Sequence, residues 1–236
     1  MNILLLNSGQ INGTSATITG RQLEHLQTVQ NLGCGDSVRV GEINGSMGTA
    51  IISEIDQRRA VLDLTLDTPP PPPLPLTLIM AMPRPKMLRR ILQTVAAMGV
   101  KTIYLINSVR VEKSFWQTPF LSAEALQAEF LLGLEQAKDT RLPEIQLRKL
   151  FKPFVEDELS DLIGESKAIV AHPTGPAPCP INIGQPTTLL VGPEGGFIPY
   201  EIGKLEEVGV EPVSIGPRIL RVETAVPALI SRLFPA

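Results

Sequence analysis

Cysteine is nearly absent from this chain. Cys34 and Cys179 are the only two in 236 residues, far apart and each flanked by glycine or proline. That spacing excludes a disulfide framework and does not fit a zinc site, and no metal is expected. No apolar run reaches the length of a membrane span. The opening residues lack the basic region and cleavage site of a secretory signal, so a cytoplasmic location without membrane attachment is the expectation. Aromatics are also few, at 4%. Phe115 and Trp116 form the one adjacent pair, for which base stacking and plain packing both stay open.

What is present is enough chain for a sizeable core and for two domains. The net charge of −3 argues against a simple nucleic-acid coat protein, but the average hides a segregation. Between Met80 and Lys113, seven basic residues face one acid, Glu112, whereas the first 68 residues hold four basic and seven acidic side chains. The basic stretch is either a phosphate-attracting patch or a solvated helix face.

The sharpest change in composition is the proline run at 69–75, read as a semi-rigid extended linker. Before it, short β-like runs at 3–6, 16–18, 37–40, 49–55 and 60–64 are separated by Gly, Asn and Asp turns, and 21–30 is the one helical candidate. Strands at this spacing suggest a small barrel. After it, strands at 76–81, 102–106, 145–147, 168–171, 187–191 and 213–215 alternate with helices at 85–98, 122–138, 153–163, 199–208 and 222–234. Such alternation means a mostly parallel sheet covered on both faces.

Two loops at the ends of these later strands carry the functional signal. One is Gly192-Pro193-Glu194-Gly195-Gly196-Phe197, and the other runs from Ile215-Gly216-Pro217 through Arg218-Ile219-Leu220-Arg221-Val222-Glu223-Thr224-Ala225. Open α/β sheets bind ligands at the carboxyl ends of strands. Glycine there lets a ligand lie directly on the backbone. The first loop is neither a P-loop, since no Gly-Lys-Ser/Thr follows, nor a Gly-x-Gly-x-x-Gly fingerprint.

Together these motifs resemble those of the SPOUT-class RNA methyltransferases, most closely the family that methylates N3 of a uridine in bacterial small-subunit ribosomal RNA. In that family a GPEGG(F) loop and an RILR-x-ETA segment build the S-adenosylmethionine site. Further matches are Glu135-Gln136 through Arg141-Leu142-Pro143, Ala171-His172-Pro173, Gly99-Val100, and His25-Leu26 leading to Gly35-Asp36. The resemblance implies an α/β chain with a small N-terminal PUA-like β-barrel over 1–68, which binds RNA. A SPOUT domain with a C-terminal trefoil knot follows over 76–236. It also implies a homodimer, S-adenosyl-L-methionine as cofactor, and ribosomal RNA or the small ribosomal subunit as partner. Three departures stand out: Asn31 where the family usually has arginine, Ala96-Ala97-Met98 where it usually has Thr-Glu-Leu, and Ile198 where a capping Ser or Thr is common.

Residue by residue, the resemblance implies cofactor contacts from His172 and Pro173, then from Leu190, Val191, Gly192, Pro193, Glu194, Gly195 and Gly196. Ile215, Gly216, Ile219, Leu220, Arg221, Thr224 and Ala225 complete that set. Arg84, Lys86, Arg89 and Arg141 are the expected RNA contacts. Uracil N3–H is a weak acid, and its deprotonation spreads charge onto O2 and O4. Arg221 would stabilise that charge or orient a phosphate, and Glu223 would help remove the proton. The competing reading is that Arg221 and Glu223 form an ion pair or cap the last helix. Glu194 satisfies loop amides or touches the ligand, and His172 contacts the cofactor or merely turns the chain. Two alternative functions stay open: a knotted RNA-binding or ribosome-assembly factor without catalysis, and a methyltransferase of this class with a different RNA target.

Overall fold

The computed structural model describes residues 2–235. Two compact units emerge from its packing: Met1–Pro72 with Leu131–Leu142, and Pro73–Phe130 with Pro143–Ala236. The helix Ala123–Ala137 is thus shared between them, its second half packing with the first unit. The expected second domain, 76–236, takes in all of it.

The first unit is a six-stranded sheet in the order β1-β4-β5-β6-β3-β2. Its strands are β1 (Leu4–Leu6), β2 (Ile11–Asn12), β3 (Ser15–Ile18), β4 (Ser37–Glu42), β5 (Met47–Ile55) and β6 (Ala60–Thr68). β1 pairs with β4 in parallel; the other pairings are antiparallel. Alternation sets the core: Val38 and Val40 are buried while the alternate residues Ser37 and Arg39 face out. Ala16, Ile18, Ile52 and Leu62 join them from neighbouring strands. The expected helix at 21–30 is α1 (Gly20–Glu24), continued by a π-type turn over His25–Val29 that buries Leu26. β6 runs to the very edge of the prolines, further than its apolar pattern indicated.

The second unit is a seven-stranded sheet, parallel throughout, in the order β11-β13-β10-β12-β7-β8-β9. It contains β7 (Leu76–Ala81), β8 (Thr102–Ile106), β9 (Glu144–Arg148), β10 (Lys167–Ala171), β11 (Ala177–Pro178), β12 (Thr187–Val191) and β13 (Glu211–Ser214). β7 and β12 are buried almost end to end because both their faces are covered. α2 (Pro85–Ala97) has proline at its first position, a form already preset for a helix start. It buries Leu88, Ile91, Leu92 and Val95 and ends at Gly99, whose φ of 86° needs glycine. α3 is Ala123–Ala137; α4 (Phe151–Pro153) passes through a π-type segment over Phe154–Glu158 into α5 (Leu159–Ile163). α6 (Pro199–Glu207) follows β12, and α7 (Val222–Leu233) packs on α2.

One topological feature positions the site. β12 comes late in the chain yet lies between β10 and β7, both of which precede it in sequence.

Candidate functional site

β10, β12 and β13 end level with one another, because Ala171 pairs with both Val191 and Val213. Adjacent strands lie about 4.8 Å apart. The segments that leave them, 172–176, 192–198 and 215–221, therefore spring from one sheet edge.

Six of the expected cofactor residues share a cleft there: His172, Pro173, Ile215, Gly216, Ile219 and Leu220, together with Arg218. The cleft takes in about 370 Å³ counting the solvent at its open mouth. Gly216 has φ of 140°, and a Cβ added to it would meet nothing within 4 Å, so a side chain there would project into open space. Gly175 is glycine for the opposite reason, since its Cβ would lie 2.5 Å from the Val213 carbonyl carbon.

The 190–196 segment does not appear in that lining. Leu190 and Val191 are buried as strand core. Pro193 to Gly196 form a tight turn closed by the Gly196 N–H donating to the Pro193 carbonyl at 2.7 Å. Glu194 accepts a hydrogen bond from the Arg84 N–H at 3.0 Å, so it ties its turn to the segment after β7 rather than to its own amides. The Gly195 carbonyl accepts from Arg110 Nη1. Gly192 packs so closely that a Cβ would come 3.0 Å from the Phe197 nitrogen.

His172 is half-buried, and its Nδ1 lies 2.9 Å from Thr174 Oγ1. Its carbonyl accepts from Gly175 N–H at 3.0 Å, so it turns the chain while facing the cleft. Arg221 is the N-cap of α7 through its carbonyl, which accepts from the amides of Thr224 at 2.9 Å and Ala225 at 2.7 Å. Those two residues are thereby fixed as the first turn. Glu223 lies in that turn, where the helix dipole favours a carboxylate. Among the described residues neither the Arg221 nor the Glu223 side chain enters an ion pair.

Of the expected RNA contacts, Arg84 and Lys86 are exposed at the start of α2. Arg89 is engaged in packing: it pairs with Glu129 and lies 4.9 Å from the Phe120 ring centre. Arg141 belongs to the first unit, with its N–H bonded to Asp139 Oδ1 at 3.0 Å. Trp116 donates from Nε1 to Asn107 Oδ1 at 2.9 Å, which fixes its ring.

Two residues that the sequence reading did not single out for the site hold it together. Glu201, only 1% exposed, accepts from the Val109 N–H at 2.8 Å and from the Ile198 N–H at 2.9 Å. It makes the carboxylate half of a capping box on the N–H of Ile198, and it fastens the segment after β8 to the start of α6. Arg110, next to Val109, lies across the glycine turn. The Glu-three-after-cap spacing was a visible sign for Glu201; nothing local marks Arg110.

The fold and these motifs define an RNA methyltransferase: residues 70–234 match the model of the RNA methyltransferase domain, and the chain belongs to that family. A relative from Treponema pallidum, ribosomal RNA small subunit methyltransferase E, is 29% identical over 95% of this chain and 87% of its own. Among solved structures, the enzyme of the same name from Neisseria gonorrhoeae, bound to S-adenosyl methionine, is similar with a TM-score of 0.76. It is 20% identical and is covered over 95%, against 98% of this chain. A methyltransferase from Legionella pneumophila, in complex with SAM, has the same TM-score at 21% identity, covering 98% of this chain and 96% of its own. Among the described residues no group of side chains could hold a metal ion, and no helix is long and apolar enough to cross a membrane.

Proposed function

We propose that this protein is an S-adenosylmethionine-dependent methyltransferase that modifies N3 of a uridine in small-subunit ribosomal RNA. The observation that carries the reading is the level ending of β10 and β13, from whose loops six motif positions converge on one cleft. The residues there fit the cofactor. Open space over Gly216 leaves room for a ligand against the backbone, and His172, Pro173, Ile215, Gly216, Ile219 and Leu220 would hold it. The Gly192–Gly196 turn would act as a rigid wall behind them. When bound, S-adenosylmethionine supplies an electrophilic methyl group on a sulfonium.

The chain's own groups must then present a deprotonated imide nitrogen in line with that methyl. Positioning of this kind lowers the barrier without any covalent intermediate. Arg221 would stabilise the charge that spreads to the uracil oxygens, and Glu223 would accept the N3 proton. Their freedom from ion pairs among the described residues leaves both side chains available for this. Arg84, Lys86 and Arg141 would contact RNA phosphates, with Arg89 supporting the helix that carries two of them.

The same reading takes the first unit as a PUA-like RNA-binding barrel. It takes the insertion of β12 between β10 and β7 as part of a trefoil knot. Ile219 and Leu220, 81% and 38% exposed beside the cleft, support a homodimer in which a second copy covers them. Such an enzyme works in the cytoplasm. Calorimetry with S-adenosylmethionine, followed by nucleoside mass spectrometry of ribosomal RNA treated with the protein, tests the reading. Cofactor binding and 3-methyluridine are expected. Cofactor binding with no methylated base would reject catalysis on this RNA, and no cofactor binding would reject the reading altogether.

A further inference from the structure

Beside the cofactor cleft lies a second, larger one, about 940 Å³ including its solvent-open mouth. His172 forms part of both walls. Three prolines, Pro176, Pro199 and Pro212, and Ile202 give it flat, stiff apolar sides. Its polar groups are few: Arg110, the His172–Thr174 pair, and Glu206. With one arginine and one carboxylate it offers no net positive charge, which suits a neutral heterocycle better than a phosphate.

Arg110 is held in place from two directions. Its backbone neighbour Val109 is fastened by the buried Glu201, and its Nη1 donates to the Gly195 carbonyl. The arginine also lies over Gly195, where a Cβ would come 2.9 Å from Arg110 Cδ. Glycine at 195 therefore makes room for Arg110. A guanidinium has five N–H donors, so others remain for a ligand after this bond is made.

Resting on the methyltransferase reading above, we infer that this second cleft receives the acceptor base, with Arg110 donating to one of the two carbonyl oxygens that flank the imide nitrogen. The two clefts then meet at His172, which lines both, so that donor and acceptor come together there. Arg110 touches the base; Glu201 is a positioning residue that acts through the Val109 amide. A pyrimidine imide presents two acceptors around one N–H, the complement of a fixed guanidinium.

The test uses the full-length wild type, Arg110→Gln and Arg110→Lys, with small-subunit ribosomal RNA lacking the modification. Arg110→Gln is expected to lower kcat/KM for RNA by on the order of 100-fold, as for loss of one donor to a developing oxyanion. Cofactor affinity should stay within about twofold, and Arg110→Lys should recover part of the rate. Turnover of Arg110→Gln equal to wild type overturns the inference while leaving the function intact. Loss of cofactor affinity in step with turnover also overturns it, because Arg110 would then serve only the glycine turn. A wild type that binds no cofactor, or modifies no uridine, fails the functional reading and takes this inference with it. Should Arg110→Gln not fold, RNA carrying 4-thiouridine at the target position is photocrosslinked to wild type. Crosslinks to 107–111 or 172–176 are expected, and crosslinks confined to other segments overturn the assignment.

Discussion

Glu201 shows how a single side chain can set a site it does not touch. Its carboxylate is buried and satisfied by two backbone N–H groups from different segments. Removing it takes the partner from both donors, at about 1–3 kcal/mol for a buried group and less for exposed Val109, whose N–H water can reach. Glu201→Ala is therefore expected to lower stability by about 2 kcal/mol or more in urea denaturation; a loss below about 0.5 kcal/mol would mean that other groups fasten the segment. Gly216→Val should weaken S-adenosylmethionine binding at least about tenfold by calorimetry, since the new side chain both strains φ and projects into the cleft. Unaltered affinity would place the cofactor elsewhere. The two thiols differ in the same local way. Burial pushes the Cys179 thiol upward against the opposing charge of Arg232, while Cys34 is exposed. A raised thiol pKa keeps thiolate scarce near pH 8, so one reactive thiol is expected in the native protein and two after denaturation. Rapid labelling of Cys179 in the folded state would contradict this. At this scale the sequence was readable where a residue type has one physical use, as at Gly216. It was silent on Arg110, whose meaning depends on a carbonyl 85 positions away in the chain.

Among the elements, β12 bears the greatest demand, because it is hydrogen-bonded on both sides and covered on both faces. Leu190 is fully buried in it. Leu190→Ala should cost about 2–5 kcal/mol, measured by chemical denaturation, in the range for a cavity in a core that cannot collapse. A cost under about 1 kcal/mol would mean that the strand is looser than its pairing indicates. Periodicity disclosed the long elements, including α2, whose apolar stripe and flanking Pro85 and Gly99 mark both ends. It missed β2 and β11, two residues each, which are too short for a pattern. It placed β13 at 213–215, whereas the strand is Glu211–Ser214. The helix after Leu150 starts at Phe151, two residues before the expected 153, because Pro153 reads as a first helical position.

Over the whole molecule, the composition contrast across the prolines has its counterpart in two sheets of opposite character, one largely antiparallel and one wholly parallel. What composition could not disclose was the exchange of Leu131–Leu142 to the first unit, since a helix shared between two bodies reads as one amphipathic run. Nor could alternation of strand and helix disclose the order in which strands lie side by side. The placement of β12 follows from tertiary pairing, which strand and helix patterns along the chain do not carry. The central claim is that the loops after β10 and β13, backed by the turn after β12, hold a methyl donor beside an acceptor uridine. The most direct measurement is transfer of labelled methyl from S-adenosylmethionine to unmodified small-subunit ribosomal RNA by the purified protein, with the product nucleoside identified by mass spectrometry. Label in 3-methyluridine, abolished by Gly216→Val, is the expected result. Label in a different nucleoside, or none despite bound cofactor, would contradict the account.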